Sequence, residues 1–519
     1  MATNGILDDY YNAAADLINR NLSAGRADKI AFVDAAAAYT YGEVERLTNA
    51  AANLLTARGM RMEERILLCL LDTIDFPTMF LGAIKAGIVP IPVNTRLTAS
   101  DYEYILADSR ARALVVSDSL LPQFAPHLER HPNLDLVVVS GADGGGHERL
   151  ADALAGQPDA FAVAPTRRDD ICFWLYTSGT TGRPKGAVHL HTDIVTIAER
   201  YAIPTLALSS DDIIFSGAKL FFAYGLGNSL SFPMTVGASA ILLAEPPTPK
   251  AVCDILRQQK PTIFCGVPTL FAMLLASNEL PGPGEHGIRL ATSAGEILPA
   301  ELYRRFKART GIDILDGLGS TEMLHIFLSN RRDDIRPGAS GWPVDGYQVR
   351  LVNDAGDIVE GAGEIGVLEV SGPTAAVMYW NQRARSRATF LGEWTRSGDK
   401  YIRDDTGCYT FAGRADDMLK VGGIYVSPTE VEAAVSKHAK VLEVAVIGQP
   451  DDDGLVKPKA FVVLCPDARP SEALAEDIKE FTKKELASYK YPRWIQFMDE
   501  LPKTATGKIQ RYKLRELSS

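Results

Sequence analysis

Cysteine is scarce in this chain of 519 residues: six in all, Cys69, Cys172, Cys253, Cys265, Cys408 and Cys465. They are scattered, with no CxxC pair and no histidine at metal-ligand spacing, so neither a disulfide scaffold nor a zinc module organises the chain. Most lie in apolar runs such as Ile66-Leu-Leu-Cys-Leu-Leu71 and read as core thiols in a reducing compartment. Long apolar runs are also lacking. The run from Ile66 stops at Asp72, far short of a membrane span, and an N-terminus with Asp8 and Asp9 ahead of a short amphipathic pattern is not a signal peptide. A cytoplasmic protein is expected. Basic excess is missing as well: the formal net charge of −11 argues against a general binder of nucleic acid or anionic membrane. Only the C-terminal end leans basic, from Lys479 to Arg515, and a solvated helix face explains that run equally well.

What is present is the composition of a soluble globular protein, 46% hydrophobic and 23% charged, on a chain long enough for two or more domains. From about residue 30 to 140, short Val/Ile/Leu runs alternate with helical patterns. Arg65 to Leu71, Ile88 to Val93, Ala113 to Ser117 and Leu134 to Ser140 read as strands, and Phe76 to Ala86 as an amphipathic helix. A second run of the same rhythm has strands at Ile171 to Tyr176, Ser239 to Ala244, Pro261 to Cys265 and Ile288 to Thr292. Residues 335 to 411 change to short alternating segments with many turns, as in a small antiparallel sheet or barrel. A compact αβ pattern of about one hundred residues follows. The expected fold class is α/β: a large N-terminal domain, 1–415, of parallel-sheet βαβ subdomains plus a small β-barrel-like part, and a small mobile C-terminal α+β domain, 416–519.

The strand at 171–176 runs into Thr177-Ser-Gly-Thr-Thr-Gly-Arg-Pro-Lys-Gly186, and a helical pattern resumes near Thr192. Three glycines, four hydroxyls and Lys185 in ten residues suit a phosphate: glycines let backbone amides turn toward it, hydroxyls donate, and the lysine supplies charge. A plain flexible turn accounts poorly for that density. The P-loop pattern GxxxxGK[ST] fails here, because Lys185 follows Pro184 and precedes Gly186, and a dinucleotide GxGxxG is lacking. Gly141 to Gly146 (GADGGG) lacks a strand–loop–helix context and reads as a surface turn.

The segment YTSGTTGRPKG resembles the signature of the acyl-adenylate-forming superfamily, which includes acyl- and aryl-CoA ligases, luciferases and peptide-synthetase adenylation domains. Asp316-Gly-Leu-Gly-Ser-Thr-Glu322, Ser397-Gly-Asp399, Gly413-Arg-Ala-Asp-Asp417 and Pro502-Lys-Thr-Ala-Thr-Gly-Lys508 match the family pattern in the same order, so the resemblance spans essentially the whole chain. It implies two reactions. A carboxylate attacks the α-phosphorus of ATP, and a thiol then attacks the acyl-adenylate; positioning and charge neutralisation carry the first step, with no covalent nucleophile needed.

The resemblance also implies roles. Lys508 would contact carboxylate and α-phosphate. Thr177, Ser178, Gly179, Thr180, Thr181, Gly182 and Lys185 would cradle ATP, Thr177 with a catalytic part. Ala294, Gly295 and Glu296 would lie against adenine, with Asp316 and Gly317 in the same nucleotide site. Thr321 would meet phosphate, and Glu322 would be catalytic as the Mg²⁺ ligand. Asp399 would bind both ribose hydroxyls, beside Arg414. Asp416 would be the hinge by which the C-terminal domain carries Lys508 away, and Lys420, Gly422 and Gly423 would line the tunnel for the thiol of coenzyme A. Plainer readings stand beside several of these: Asp399 as a turn residue after Gly398, SAGE as a turn, and KVGG as a turn before Ile424.

Lys219-Leu-Phe-Phe-Ala-Tyr-Gly225 and Met323-Leu-His-Ile-Phe-Leu328 resemble segments of benzoate– and hydroxybenzoate–CoA ligases more than those of fatty-acyl enzymes. Phe222, Ala223, Tyr224, Gly319, His325 and Ile326 would enclose a flat ring, with Ala223 and Gly319 making room. Core packing is the default for such stripes, and a structural hydrogen-bonding role is the alternative for His325. The expectation is an aryl-CoA ligase acting on a small aromatic carboxylate with ATP, Mg²⁺ and coenzyme A. The alternatives are an enzyme loading an aryl acid onto a carrier protein, a ligase for another small acid, a luciferase-like oxidation, or a non-catalytic nucleotide binder. The chain ends eleven residues after Lys508 with no carrier domain, which favours the ligase. Acetylation of Lys508 would remove its charge, so a lysine acetyltransferase is a candidate partner, as is a second copy in a homodimer.

Overall fold

The computed structural model describes residues 10–177, 183–414, 417–421, 424–451, 455–486, 490–503 and 509–518. Its first sheet holds Val89–Pro92, Arg65–Cys69, Ala113–Ser117, Leu136–Ser140 and Glu148–Arg149, in that spatial order and all parallel. Arg65–Cys69 is buried beyond its first residue, which is why it reads as an unbroken apolar run rather than an alternation. Neighbouring helices begin on local signals. Thr40 with Glu43, and Thr98 with Asp101, form reciprocal capping boxes ahead of Tyr41–Ala57 and Ala99–Ser109.

The second sheet has nine strands. Its inner run of Ile314–Gly319, Leu290–Ser293, Ile263–Gly266, Ile213–Ser216, Ser239–Ile241 and Ile30–Val33 is parallel, with antiparallel partners at both edges. Carboxyl ends of parallel strands share one rim, the usual ligand-binding edge of an open α/β sheet.

Ile171–Thr177 departs from the expected parallel rhythm. It pairs antiparallel with Lys185–Leu190, a strand not foreseen in the sequence, and Met378–Tyr379 adds a third member. The misreading has a physical cause. This hairpin is buried on both faces: Phe173 packs into one core with Phe80, while Trp174 and Val188 pack into another with Tyr102. A strand buried on both faces shows no alternation and imitates a parallel strand. Trp174 also lies against Trp380, ring centroids 4.3 Å apart.

Gln348–Val352, Ile365–Ser371, Trp394–Arg403, Phe390–Leu391 and Tyr409–Arg414 form the expected antiparallel sheet, a half-barrel. Near the C-terminus, Val441–Pro450, Val456–Leu464 and Trp494–Phe497 make a mixed sheet against helices Pro428–Val435 and Glu472–Glu485. Val431, Val435, Val446, Val462 and Ile478 give this region a core of its own. Cys69, Cys172, Cys253, Cys265 and Cys408 are buried free thiols, and Cys465 is partly exposed. Among the described residues no helix is long and apolar enough to cross a membrane.

Truncating Trp174 to alanine empties the contact between hairpin and first sheet. A loss of about 3–5 kcal/mol is expected for such a deletion, read as a lowered Tm in calorimetry; an unchanged Tm would show that the hairpin is held elsewhere.

Candidate active site

Three parallel strands of the second sheet deliver the predicted residues to one rim. Leu290–Ser293 leads into Ala294, Gly295 and Glu296; Ile314–Gly319 holds Asp316, Gly317 and Gly319 and leads into the turn Thr321–Met323; Ile213–Ser216 leads toward Phe222, Ala223 and Tyr224. Tyr224 ties two of these together, its hydroxyl 2.7 Å from Thr292 Oγ1. Glu296 accepts from Thr269 Oγ1 at 3.1 Å, and Gly295 takes the left-handed φ of +88° that the turn requires.

The hairpin supplies the cation. Thr177 and Lys185 are cross-strand partners, so the motif's lysine opens a second, antiparallel strand. Lys185 Nζ lies 3.7 Å from Glu322 Oε1 and donates to the Tyr379 hydroxyl at 3.0 Å, and that hydroxyl donates to Glu322 Oε1 at 2.5 Å. Burial pulls the Lys185 ammonium below the ordinary lysine range, and Glu322 works against that shift. Burial pushes the Tyr379 phenol well above its usual value, Glu322 adding to it, so the group stays protonated and keeps donating. Tyr379 is absent from the sequence expectations. Its signal was the paired aromatics of Met378-Tyr-Trp-Asn-Gln382 at the end of the short apolar run from Ala375, legible only once Met378–Tyr379 is placed beside Lys185–Leu190.

On the half-barrel, Arg414 Nη1 is 2.9 Å from Asp399 Oδ1, and the Asp399 amide donates to Ser397 Oγ at 3.1 Å. The two predicted ribose residues therefore stand together on adjacent strands.

The acyl segments converge around His325. Its ring is buried among Phe232, Tyr201 and Tyr224, with centroids at 4.6, 5.5 and 5.5 Å. Burial depresses its pKa to about 3, against a weak contact with the Tyr224 backbone, so the imidazole is neutral. Gly227 is glycine because a Cβ there would stand 2.3 Å from His325 Cδ2. At Gly319 the space is taken by the protein itself: a Cβ would meet the His325 carbonyl oxygen at 2.7 Å. Ile326 is buried, while Phe222, Ala223 and Tyr224 are partly exposed. Asp316 is buried too. Burial raises its carboxyl to about 7, against the Leu298 amide donating at 3.4 Å, and its backbone carbonyl accepts from Asn330. Ser178, Gly179, Thr180, Thr181, Gly182, Asp416, Gly422, Gly423 and Lys508 lie outside the described residues, as does the side chain of Lys420.

Residues 20–380 match the family described as AMP-binding enzyme, and residues 430–508 its C-terminal domain. The chain belongs to the AMP-binding enzymes. Among its relatives is a benzoate–CoA ligase of Thauera aromatica, 57% identical over 98% of this chain and 96% of that protein. A 4-hydroxybenzoate–CoA/benzoate–CoA ligase of Rhodopseudomonas palustris is 48% identical over 98% and 94%. The crystal structure of a benzoate CoA ligase from Burkholderia xenovorans superposes with a TM-score of 0.91 at 51% identity, covering 97% of this chain and 100% of that one. The parallel sheets, half-barrel and small C-terminal region are thus those of an AMP-binding enzyme.

Two tests follow from this geometry. Tyr379→Phe removes the hydroxyl that joins Lys185 to Glu322, and an increase of about tenfold in the KM for ATP is expected, with Tm nearly unchanged. A parental KM would contradict the bridging role. For Asp316, the folded carboxyl titrates near 7 and the unfolded one near its ordinary value, so the native state holds the extra proton between them. Its contribution to stability is complete at low pH and lost as pH rises through the folded pKa. Asp316→Asn should therefore raise Tm at about pH 8 and change it little at about pH 4; a gain of equal size at both would refute this.

Proposed function

We propose that this AMP-binding enzyme is an aryl-CoA ligase. It condenses benzoate or a hydroxybenzoate with ATP into an aroyl-adenylate, releasing pyrophosphate, and passes the aroyl group to coenzyme A, releasing AMP. The observation that carries this reading is the 57% identity, over 98% of the chain, with a protein named benzoate–CoA ligase. The chemistry of the site is consistent with it.

Adenylation needs the triphosphate's charge neutralised and the carboxylate brought in line with the α-phosphorus. Lys185 and the glycine-rich motif Thr177 to Gly186 would bind the phosphates, and Asp399 with Arg414 the ribose. Mg²⁺ would arrive with ATP. Its preference for one carboxylate plus phosphate oxygens suits Glu322, and no cluster of three or more metal-ligating side chains is found among the described residues. Lys508 would meet the carboxylate and α-phosphate. The division at 415/416 would then serve the second step: rotation about Asp416 withdraws Lys508 and opens a path for the thiol past Lys420, Gly422 and Gly423. A neutral His325 ring among aromatic side chains offers a flat, apolar wall for the aryl group. The cytoplasm supplies ATP and coenzyme A, and acetylation of Lys508 would switch off the first step alone.

CoA-dependent AMP release, measured across benzoate, the three hydroxybenzoates, aminobenzoates and a medium-chain fatty acid, tests the substrate class. Benzoate or a hydroxybenzoate should give the highest kcat/KM, and a preference for the fatty acid would end the aryl reading. Lys508→Ala should abolish carboxylate-dependent pyrophosphate exchange while thioester formation from preformed aroyl-adenylate survives better. Equal loss of both would remove Lys508 from its assigned step.

A further inference from the structure

Side chains alternate along Lys185–Leu190, so Lys185 and His189 share one face of that strand. Both reach the turn that carries Thr321 and Glu322. Lys185 meets the Glu322 carboxylate, and His189 Nε2 lies 2.8 Å from the Thr321 carbonyl oxygen. A carbonyl only accepts, so the imidazole donates from Nε2. On its other side Nδ1 is 3.0 Å from Asp193 Oδ2, which also takes the Leu190 amide at 3.0 Å. The ring is fully buried and lies over Phe173, centroids 5.4 Å apart at 22°. Its plane and both nitrogens are therefore fixed.

The turn it holds is pinned at three successive carbonyls. Thr321 accepts from His189, Glu322 from the Ala376 amide at 2.7 Å, and Met323 from Thr374 Oγ1 at 2.7 Å. Ala376 and Thr374 belong to the segment ahead of Tyr379, whereas His189 reaches the turn from the hairpin that bears Lys185. A peptide carbonyl held this way fixes the direction of the Thr321–Glu322 backbone relative to Lys185, and hence where the Thr321 hydroxyl and Glu322 carboxylate emerge.

We propose that His189 is a positioning residue for adenylation: its Nε2–H registers the Thr321–Glu322 turn against the phosphate-binding hairpin, and Asp193 orients the ring for that task. His189 does not touch ATP. The inference rests on the reading of Thr321 and Glu322 as the residues that face the phosphates and Mg²⁺.

Two substitutions separate the ring's two contacts. His189→Gln places an amide donor where Nε2 stood and keeps the bond to Thr321; His189→Asn reaches only the Nδ1 position and keeps Asp193. The primary readout is equilibrium binding of ATP in the presence of Mg²⁺, without turnover. The KM for ATP in pyrophosphate exchange, thioester formation from preformed benzoyl-adenylate, and Tm accompany it. His189→Gln should bind ATP within about threefold of the parent, and His189→Asn about tenfold or more weaker, the worth of one buried hydrogen bond. Thioester formation should stay within about threefold in both, since the inference concerns the ATP step alone. Equal ATP affinities of the two variants, or parental affinity in His189→Asn, would overturn the proposal. Should His189→Asn fail to fold, His189→Gln decides: parental ATP binding supports the assignment, and a tenfold loss in a protein of parental Tm refutes it. If the parent shows no aryl-acid-dependent exchange, the ligase reading fails, while the binding comparison still tests His189.

Discussion

An ammonium group in the protein interior is costly to keep charged, and Lys185 is the group on which this site depends. Burial depresses its pKa and the Glu322 carboxylate works against that loss, while the Tyr379 hydroxyl accepts one of its hydrogens. These residues come from a hairpin strand, the turn after a parallel strand, and a short third strand nearly two hundred residues further on. Their meeting requires the hairpin to be wedged into both cores, which is what Phe173 and Trp174 accomplish. The cost of assembling the cation beside its carboxylate is thus met by the fold, before any nucleotide binds. In the proposed reading, an incoming triphosphate would meet a cation already positioned, with little reorganisation left to make.

The sequence disclosed the layered α/β plan well where burial and periodicity agree. Arg65–Cys69, Ala113–Ser117 and Leu290–Ser293 lie on expected strands because each is a short apolar run with turn signals at its ends. The same rule failed at Ile171–Thr177, whose two buried faces hide the antiparallel pairing, and it passed over Lys185–Leu190 altogether. That strand begins at the lysine of the motif and runs through Gly186, Ala187 and His189, so only Val188 and Leu190 among its six residues are the branched apolar kind that advertise a strand. Its pairing is set by tertiary context.

Residues of the site were legible in proportion to how locally they act. Lys185, Glu322 and Asp399 stand in short motifs that carry the family resemblance, and it is the resemblance that implies phosphate, metal and ribose contacts for them. Tyr379 and His189 act through contacts 194 and 132 residues away in sequence, Tyr379 with Lys185 and His189 with Thr321, and no local pattern announces them. His325 shows the intermediate case. A place beside an aryl group is what the resemblance of its segment implies, whereas its neutrality follows from burial and the need for Gly227 from the close approach of its ring. Gly319 carries a lesson of another kind. The missing side chain makes room for the His325 carbonyl, a requirement of the strand pairing with Ile326 that motif comparison does not distinguish from room for a ligand.

The central claim is that hairpin, turn and half-barrel together hold ATP for attack at the α-phosphorus by a carboxylate. Benzoate carrying heavy oxygen in its carboxylate reports that bond directly. Turnover with ATP and coenzyme A, followed by mass spectrometry of the nucleotide product, should yield AMP that has gained a single labelled oxygen, with unlabelled pyrophosphate. Label in inorganic phosphate together with ADP, or unlabelled AMP, would place the attack elsewhere and contradict the account.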